Sequence, residues 1–156
     1  MKTKPLRIGP GTVSRQLSAD EASQVVESWL GVFGRNREGI DTDAFLWHMF
    51  SSGRHPSEGG LAARASYEQQ VAHEYVVLSN DRQVVFITDQ RPEICSLTDY
   101  YVFPPNLAWT MAFTHEDGWL GPYFARNRNF EALNRENAVR VRKEREAQAA
   151  KLRGWR

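Results

Sequence analysis

The chain has 156 residues, a single cysteine and a formal net charge of +1, with 41% hydrophobic and 25% charged side chains. One cysteine cannot close an internal disulfide, which excludes a stapled secreted scaffold. No run approaches the roughly 18 apolar residues of a membrane span. The basic first residues are followed by Pro5, Gly9, Pro10 and Gly11 rather than an apolar run, which reads against a signal peptide. The expectation is one soluble, cytoplasmic domain with an appendage.

The small net charge conceals a division. From Arg126 to Arg156 there are ten Lys/Arg against four Glu, or +6, while the other 125 residues carry ten basic and fifteen acidic side chains, or −5. An acidic body with a basic tail can attract two kinds of surface, or let the tail fold back on the body.

Residues 1–17 lack periodicity and are rich in Lys, Arg, Gly and Pro, the composition of a flexible arm. Ser18 and Glu21 make the capping-box pattern of a helix start. Ala22, Val25, Val26, Trp29, Leu30 and Phe33 then follow at helical spacing, with Gly34 as a stop. Asp41-Thr42-Asp43 opens a second, shorter helix with Phe45, Leu46, Met49 and Phe50 on one face and Trp47 and His48 on its flanks. Residues 51–60 read as a loop. Residues 61–70 read as a third helix with Leu61, Ala62 and Ala65 turned inward.

The period changes after Glu74. Two β-branched and aromatic runs, 74–78 and 83–88, flank Ser79-Asn80-Asp81-Arg82 in a hairpin pattern. Runs at 97–103 and 108–114 supply two more strands. The fold expected is α+β, with helices packed on one face of a roughly four-stranded antiparallel meander. A C-terminal helix follows. The boundaries expected are an arm at 1–17, one domain at 18–128 and a basic helix at 129–156. That last segment has no Gly or Pro before Gly154 and only sparse apolar positions, Phe130, Leu133, Val141 and Leu152. The helix is expected to pack by its first turns and then to project.

The core expected from these patterns is Val25, Trp29, Leu46, Phe50, Val77, Val85, Phe86, Tyr101 and Trp109. Two stretches carry a further pattern: Phe45-Leu46-Trp47-His48-Met49-Phe50-Ser51, and Trp109-Thr110 leading to Thr114-His115-Glu116 and Gly121-Pro122-Tyr123-Phe124. With the strand-like residues between them they resemble a family of small bacterial proteins catalogued as a domain of unknown function, over residues 18–124. The resemblance implies an α+β domain and no known catalytic residues. Some small bacterial families of this kind act as immunity proteins that bind and block a cognate toxin, so by analogy it points to a protein partner.

His115, Glu116 and Asp117 stand where a strand ends, the right residue types for general acid–base chemistry or for capping the loop that follows. His48, His55, His73 and His115 show no zinc-ligand spacing, so no metal or other cofactor is expected. Cys95 lacks a visible base or electropositive setting and reads as a small core residue. No phosphate-binding glycine loop or nucleophile elbow is present. The reading that results is a protein-binding module of the immunity type, with Trp47, His48, His115, Glu116, Asp117, Trp119 and Tyr123 as partner-contacting residues. Its acidic body suits a basic toxin. Two alternatives stand beside it: a small hydrolase-like enzyme using His115 and Glu116, and a nucleic-acid-binding accessory protein using the basic C-terminal helix.

Overall fold

The computed structural model describes residues 6–116 and 121–154. In chain order its elements are β1 (Ile8–Gly9), β2 (Val13–Gln16), α1 (Ala19–Phe33), α2 (His48–Ser51), β3 (Ser57–Gly59), α3 (Gly60–Glu68) and β4 (Tyr75–Ser79). They continue with β5 (Val85–Thr88), β6 (Ile94–Cys95), β7 (Tyr100–Phe103), β8 (Trp109–Phe113), β9 (Tyr123–Arg126) and α4 (Phe130–Arg153). The fold is α+β.

Helix α1 begins as its sequence dictates. The Ser18 hydroxyl accepts the Glu21 N–H and the Glu21 carboxylate accepts the Ser18 N–H, both at 3.2 Å. Two of the free donors of the first turn are thereby satisfied. Gly34 closes the helix, donating its N–H to the Leu30 carbonyl at 2.9 Å.

The principal sheet is larger than the four strands expected. Seven antiparallel strands lie in the order β2-β5-β4-β7-β8-β9-β3, and β1 pairs with β6 in a separate ribbon. Nor is it a sequential meander. β4 and β5 form the hairpin, but β7 pairs with β4, not β5, because the outer edge of β5 is occupied by β2. The connection from β5 to β7 therefore crosses one face of the sheet, carrying β6 with it. Residues 1–17 are likewise not simply an arm, since Ile8–Gly9 and Val13–Gln16 are both paired strands.

Side chains alternate between the two faces of every inner strand. Val76, Leu78, Val85, Tyr101, Phe103, Ala112, Tyr123 and Ala125 point toward α1 and the segment around α2. Tyr75, Val77, Phe86, Tyr100, Val102, Trp109, Met111 and Phe124 point the other way, toward Ala63 and Tyr67 of α3 and Phe130 and Leu133 of α4. Both faces are thus covered, which corrects the expectation of helices on one face only. It also explains why β4 and β7 read as unbroken apolar runs. Of the expected core, Trp29, Leu46, Phe50, Val77, Val85, Phe86, Tyr101 and Trp109 are buried, and Val25 is partly so.

Two helices differ from their expected form. The second is a single turn, because the Leu46 and Trp47 N–H groups are taken by side chains of the β4–β5 turn and of β7: Leu46 donates to Asn80 Oδ1 at 3.1 Å and Trp47 to Tyr101 Oη at 2.9 Å. In α3 the inward face is Ala63, Ser66 and Tyr67, continuing to Gln70, while Leu61 is 86% exposed. Polar Ser66 and Gln70 can turn inward because they bond there, Ser66 Oγ to Glu58 and Gln70 Nε2 to the Ser66 carbonyl, both at 2.8 Å.

Candidate functional site

One end of the α1-facing side of the sheet gathers most of the residues singled out in the sequence. The strand period sets this up. Asp99 lies two residues before Tyr101, and Thr114 two residues after Ala112, so both fall at the edge of the same face. The segment 41–50 is laid across that edge and fixed there by Asn80. Besides accepting the Leu46 N–H, the Asn80 amide donates to the Ala44 carbonyl at 2.7 Å, and its oxygen accepts the Tyr101 hydroxyl at 2.7 Å.

Asp99 is the hub of the site. One of its oxygens accepts the Trp47 indole N–H at 3.1 Å and the His115 backbone N–H at 3.0 Å. The His115 ring nitrogen Nδ1 lies 3.0 Å from both carboxylate oxygens. The other ring nitrogen, Nε2, is 3.6 Å from Glu116 Oε1. The Asp99 side chain is only 10% exposed while that of His115 is 36% exposed, so a shielded carboxylate fixes a solvent-facing imidazole. Its hydrogen bond to Asp99 raises the His115 pKa above the ordinary 6.5, against some desolvation, and the charges of Asp99 and Glu116 add to the effect.

Aromatic rings build the support. Phe45 stacks on Trp47 with ring centres 5.1 Å apart, and Trp47 stacks on Tyr123 at 6.2 Å. His48 meets Trp47 edge-on at 4.8 Å and Phe45 at 5.5 Å, and His115 lies 5.2 Å from Phe45. His48 Nδ1 is held 2.8 Å from the Asp41 carbonyl, leaving Nε2 free of that contact. The chain returns past the site at Gly121, whose φ of +95° suits glycine. A Cβ there would come within 3.0 Å of Thr114 and 3.1 Å of the Tyr123 ring.

The structure therefore brings together five of the seven expected residues: Trp47, His48, His115, Glu116 and Tyr123. Asp117 and Trp119 lie outside the described residues. Two of the five are corrected in role. Trp47 and Tyr123 are 3% and 9% exposed, so they form the floor of the site rather than its contact surface. Phe45, His48, His115 and Glu116 are the groups that reach solvent. Asp99 and Asn80 were not identified from sequence. Asn80 reads only as part of the hairpin pattern and Asp99 only as part of the 97–103 run, and nothing around either points to a site.

The remaining candidates lie elsewhere. His55 Nε2 donates to the Arg126 carbonyl at 2.9 Å, and the ring packs against Phe33 and Phe50; burial lowers its pKa. His73 lies 3.4 Å from Glu74. Among the described residues no group of three or more His, Cys, Asp or Glu is placed to hold a metal ion. Cys95 is half-buried in β6, with its thiol pKa pushed up by burial. No helix of the described residues is long and apolar enough to cross a membrane.

Fold and site together define an α+β protein whose central antiparallel sheet carries a carboxylate-anchored histidine on an aromatic support. The chain belongs to the family of the domain of unknown function DUF4275, whose model matches residues 18–124. No curated protein and no solved structure matches it.

Proposed function

We propose that this protein is a protein-binding module of the immunity type, which neutralises a toxin by covering it, and that its contact surface is the rim formed by Phe45, His48, His115 and Glu116. The observation that carries the reading is the fixed floor beneath that rim. Trp47, Tyr123, Asp99 and Asn80 hold the exposed groups in place before any partner arrives, so little ordering cost falls due on association. The acidic balance of residues 1–125 favours a basic partner and speeds encounter with it.

The test is co-expression with the product of any toxin-like gene found adjacent to this one. Growth rescue and a stoichiometric complex are the expected results, both lost in a His115→Ala, Glu116→Ala double variant that remains folded. A toxin left active by the intact protein, or full rescue by the double variant, overturns the reading.

A second reading has its own observation. Asp99 at Nδ1 leaves His115 Nε2 beside Glu116 and open to solvent, an arrangement that can accept and return a proton. That is the hydrolase-like alternative. Turnover of chromogenic ester or phosphoester substrates, abolished by His115→Ala, would favour it over the binding module.

A further inference from the structure

We propose that two copies of this chain pair reciprocally, each placing Leu152, at the end of α4, in the groove between α1 and the sheet of the other.

The groove lies on the α1 face of the sheet, at the strand ends opposite Asn80 and Asp99. Its volume is about 350 Å³, and Leu17, Val25, Val76, Phe103 and Leu107 give it an apolar lining. Glu21 and Glu74 line it too. Among the described residues around it Arg15 alone is cationic, and Arg15 is already paired with Glu21 at 2.8 Å. Helix α1 adds Asp20 and Glu27 and carries no Lys or Arg. The result is an apolar slot in an acidic setting.

The end of α4 is its complement. Leu152 is 79% exposed, an unpartnered leucine on a helix that has left the core. Lys151 and Arg153 flank it, and successive helical residues are about 100° apart, so the two cations fall on either side of the leucine. Residues 140–153 hold six Lys/Arg against two Glu, or +4. A phosphate backbone would engage those cations and leave Leu152 in water. An apolar slot with carboxylates beside it takes both.

The occupant has to come from another molecule. Phe130 and Leu133 seat α4 on the sheet face opposite α1, so a chain's Leu152 and its own groove belong to different faces. The two nevertheless share one margin of the molecule. Lys151 borders a recess with His73, and the next residue, Glu74, lines the groove. A two-fold axis beside that margin brings each helix end to the other's groove at once, so the pairing closes at two copies.

Sedimentation equilibrium of the full chain, over a wide concentration range and a salt series, tests this. A monomer–dimer equilibrium that weakens with salt is expected. Leu152→Asp should weaken the dimer at least about 10-fold, the effect of leaving one leucine in water. Glu74→Lys should weaken it too, and adding Lys151→Glu and Arg153→Glu to that chain should recover part of the loss. The three tail residues are exposed, so their variants keep the fold. A monomer at every concentration, a dimer indifferent to Leu152→Asp, or a mass that grows beyond two copies overturns the proposal. So does a monomeric chain that binds duplex DNA equally well with and without Leu152→Asp, which would assign the tail to phosphates. The groove lies away from the rim of Phe45 and Glu116, so the pairing stands or falls independently of toxin binding.

Discussion

Asp99 and His115 are joined twice, through the backbone N–H of the histidine at 3.0 Å and through its ring Nδ1 at 3.0 Å. The raised pKa of His115 makes the second link dependent on pH. A group whose folded pKa exceeds its unfolded value stabilises fully below the unfolded value and loses that contribution as pH rises through the folded one. The His115–Asp99 pairing should therefore be strongest below pH 6.5 and fade above it, through the folded midpoint. Titration of the His115 ring by NMR should give a midpoint above 6.5. Asp99→Asn should lower that midpoint, and should destabilise the protein more in mild acid than in alkali. A midpoint at or below 6.5 in the intact protein would contradict the pairing.

Asn80 supports the site without touching solvent groups in it. Its side chain engages Leu46, Ala44 and Tyr101 at once. Asn80→Ala leaves the Leu46 N–H and the Tyr101 hydroxyl without that partner, at a cost of about 1–3 kcal/mol for an unsatisfied buried group. Urea denaturation should show the loss. Amide exchange at Leu46 and Trp47 should accelerate more than at β4, because the segment 41–50 would lose its anchor.

Trp29 is wholly buried against Phe33, Phe50 and Tyr101, and its indole N–H reaches Thr110 Oγ1 at 3.1 Å. Trp29→Ala should cost about 3–5 kcal/mol, a large share of the 5–15 kcal/mol typical of a folded domain. Thr110→Val keeps the volume but removes the acceptor, so about 1–3 kcal/mol is expected from the stranded indole N–H. Chemical denaturation of the two variants separates packing from hydrogen bonding at this position.

Helix α4 should divide into two parts under truncation. Phe130 and Leu133 pack on the core and Asn137 is buried, but every residue from Arg142 to Gly154 is exposed. The pairs Arg140–Glu144 and Arg142–Glu146, at 3.5 and 3.9 Å, are more than half exposed and add about 0–1 kcal/mol each. Ending the chain after Asn137 should leave the melting temperature within about 4 °C of the intact value. Ending it before Phe130 should expose the core and lower stability sharply. If the shorter tail also leaves self-association and partner binding unchanged across a salt series, its basic charge has no electrostatic role.

What the sequence reveals depends on how local the cause is. The capping box of Ser18 and Glu21 and the hairpin around Asn80 are legible because their determinants lie within a few residues. β3 is not, because Ser57-Glu58-Gly59 is polar and becomes a strand only by pairing with Tyr123-Phe124-Ala125. β9 in turn is a short run behind Gly121-Pro122. The inward face of α3 is misread because Leu61 looks like core, whereas small Ala63 and bonded Ser66 are what fit against β3 and β9. At the site, His115 and Glu116 announce themselves by clustering. Asp99 does not, since its importance comes from where β7 places it beside β8.

The pairing of β3 with β9 has a consequence for how the chain reaches its native state. Residues 57–59 are made early, yet their partner strand is residues 123–125. At the opposite margin β2 must likewise wait for β5. Both flanks of the sheet are thus contributed by segments that leave the ribosome before the strands they close upon. During synthesis the early third of the chain can form α1, but it has no sheet to lie on. Completion should come late and through distant contacts, the circumstance that slows folding relative to a helical protein of equal size.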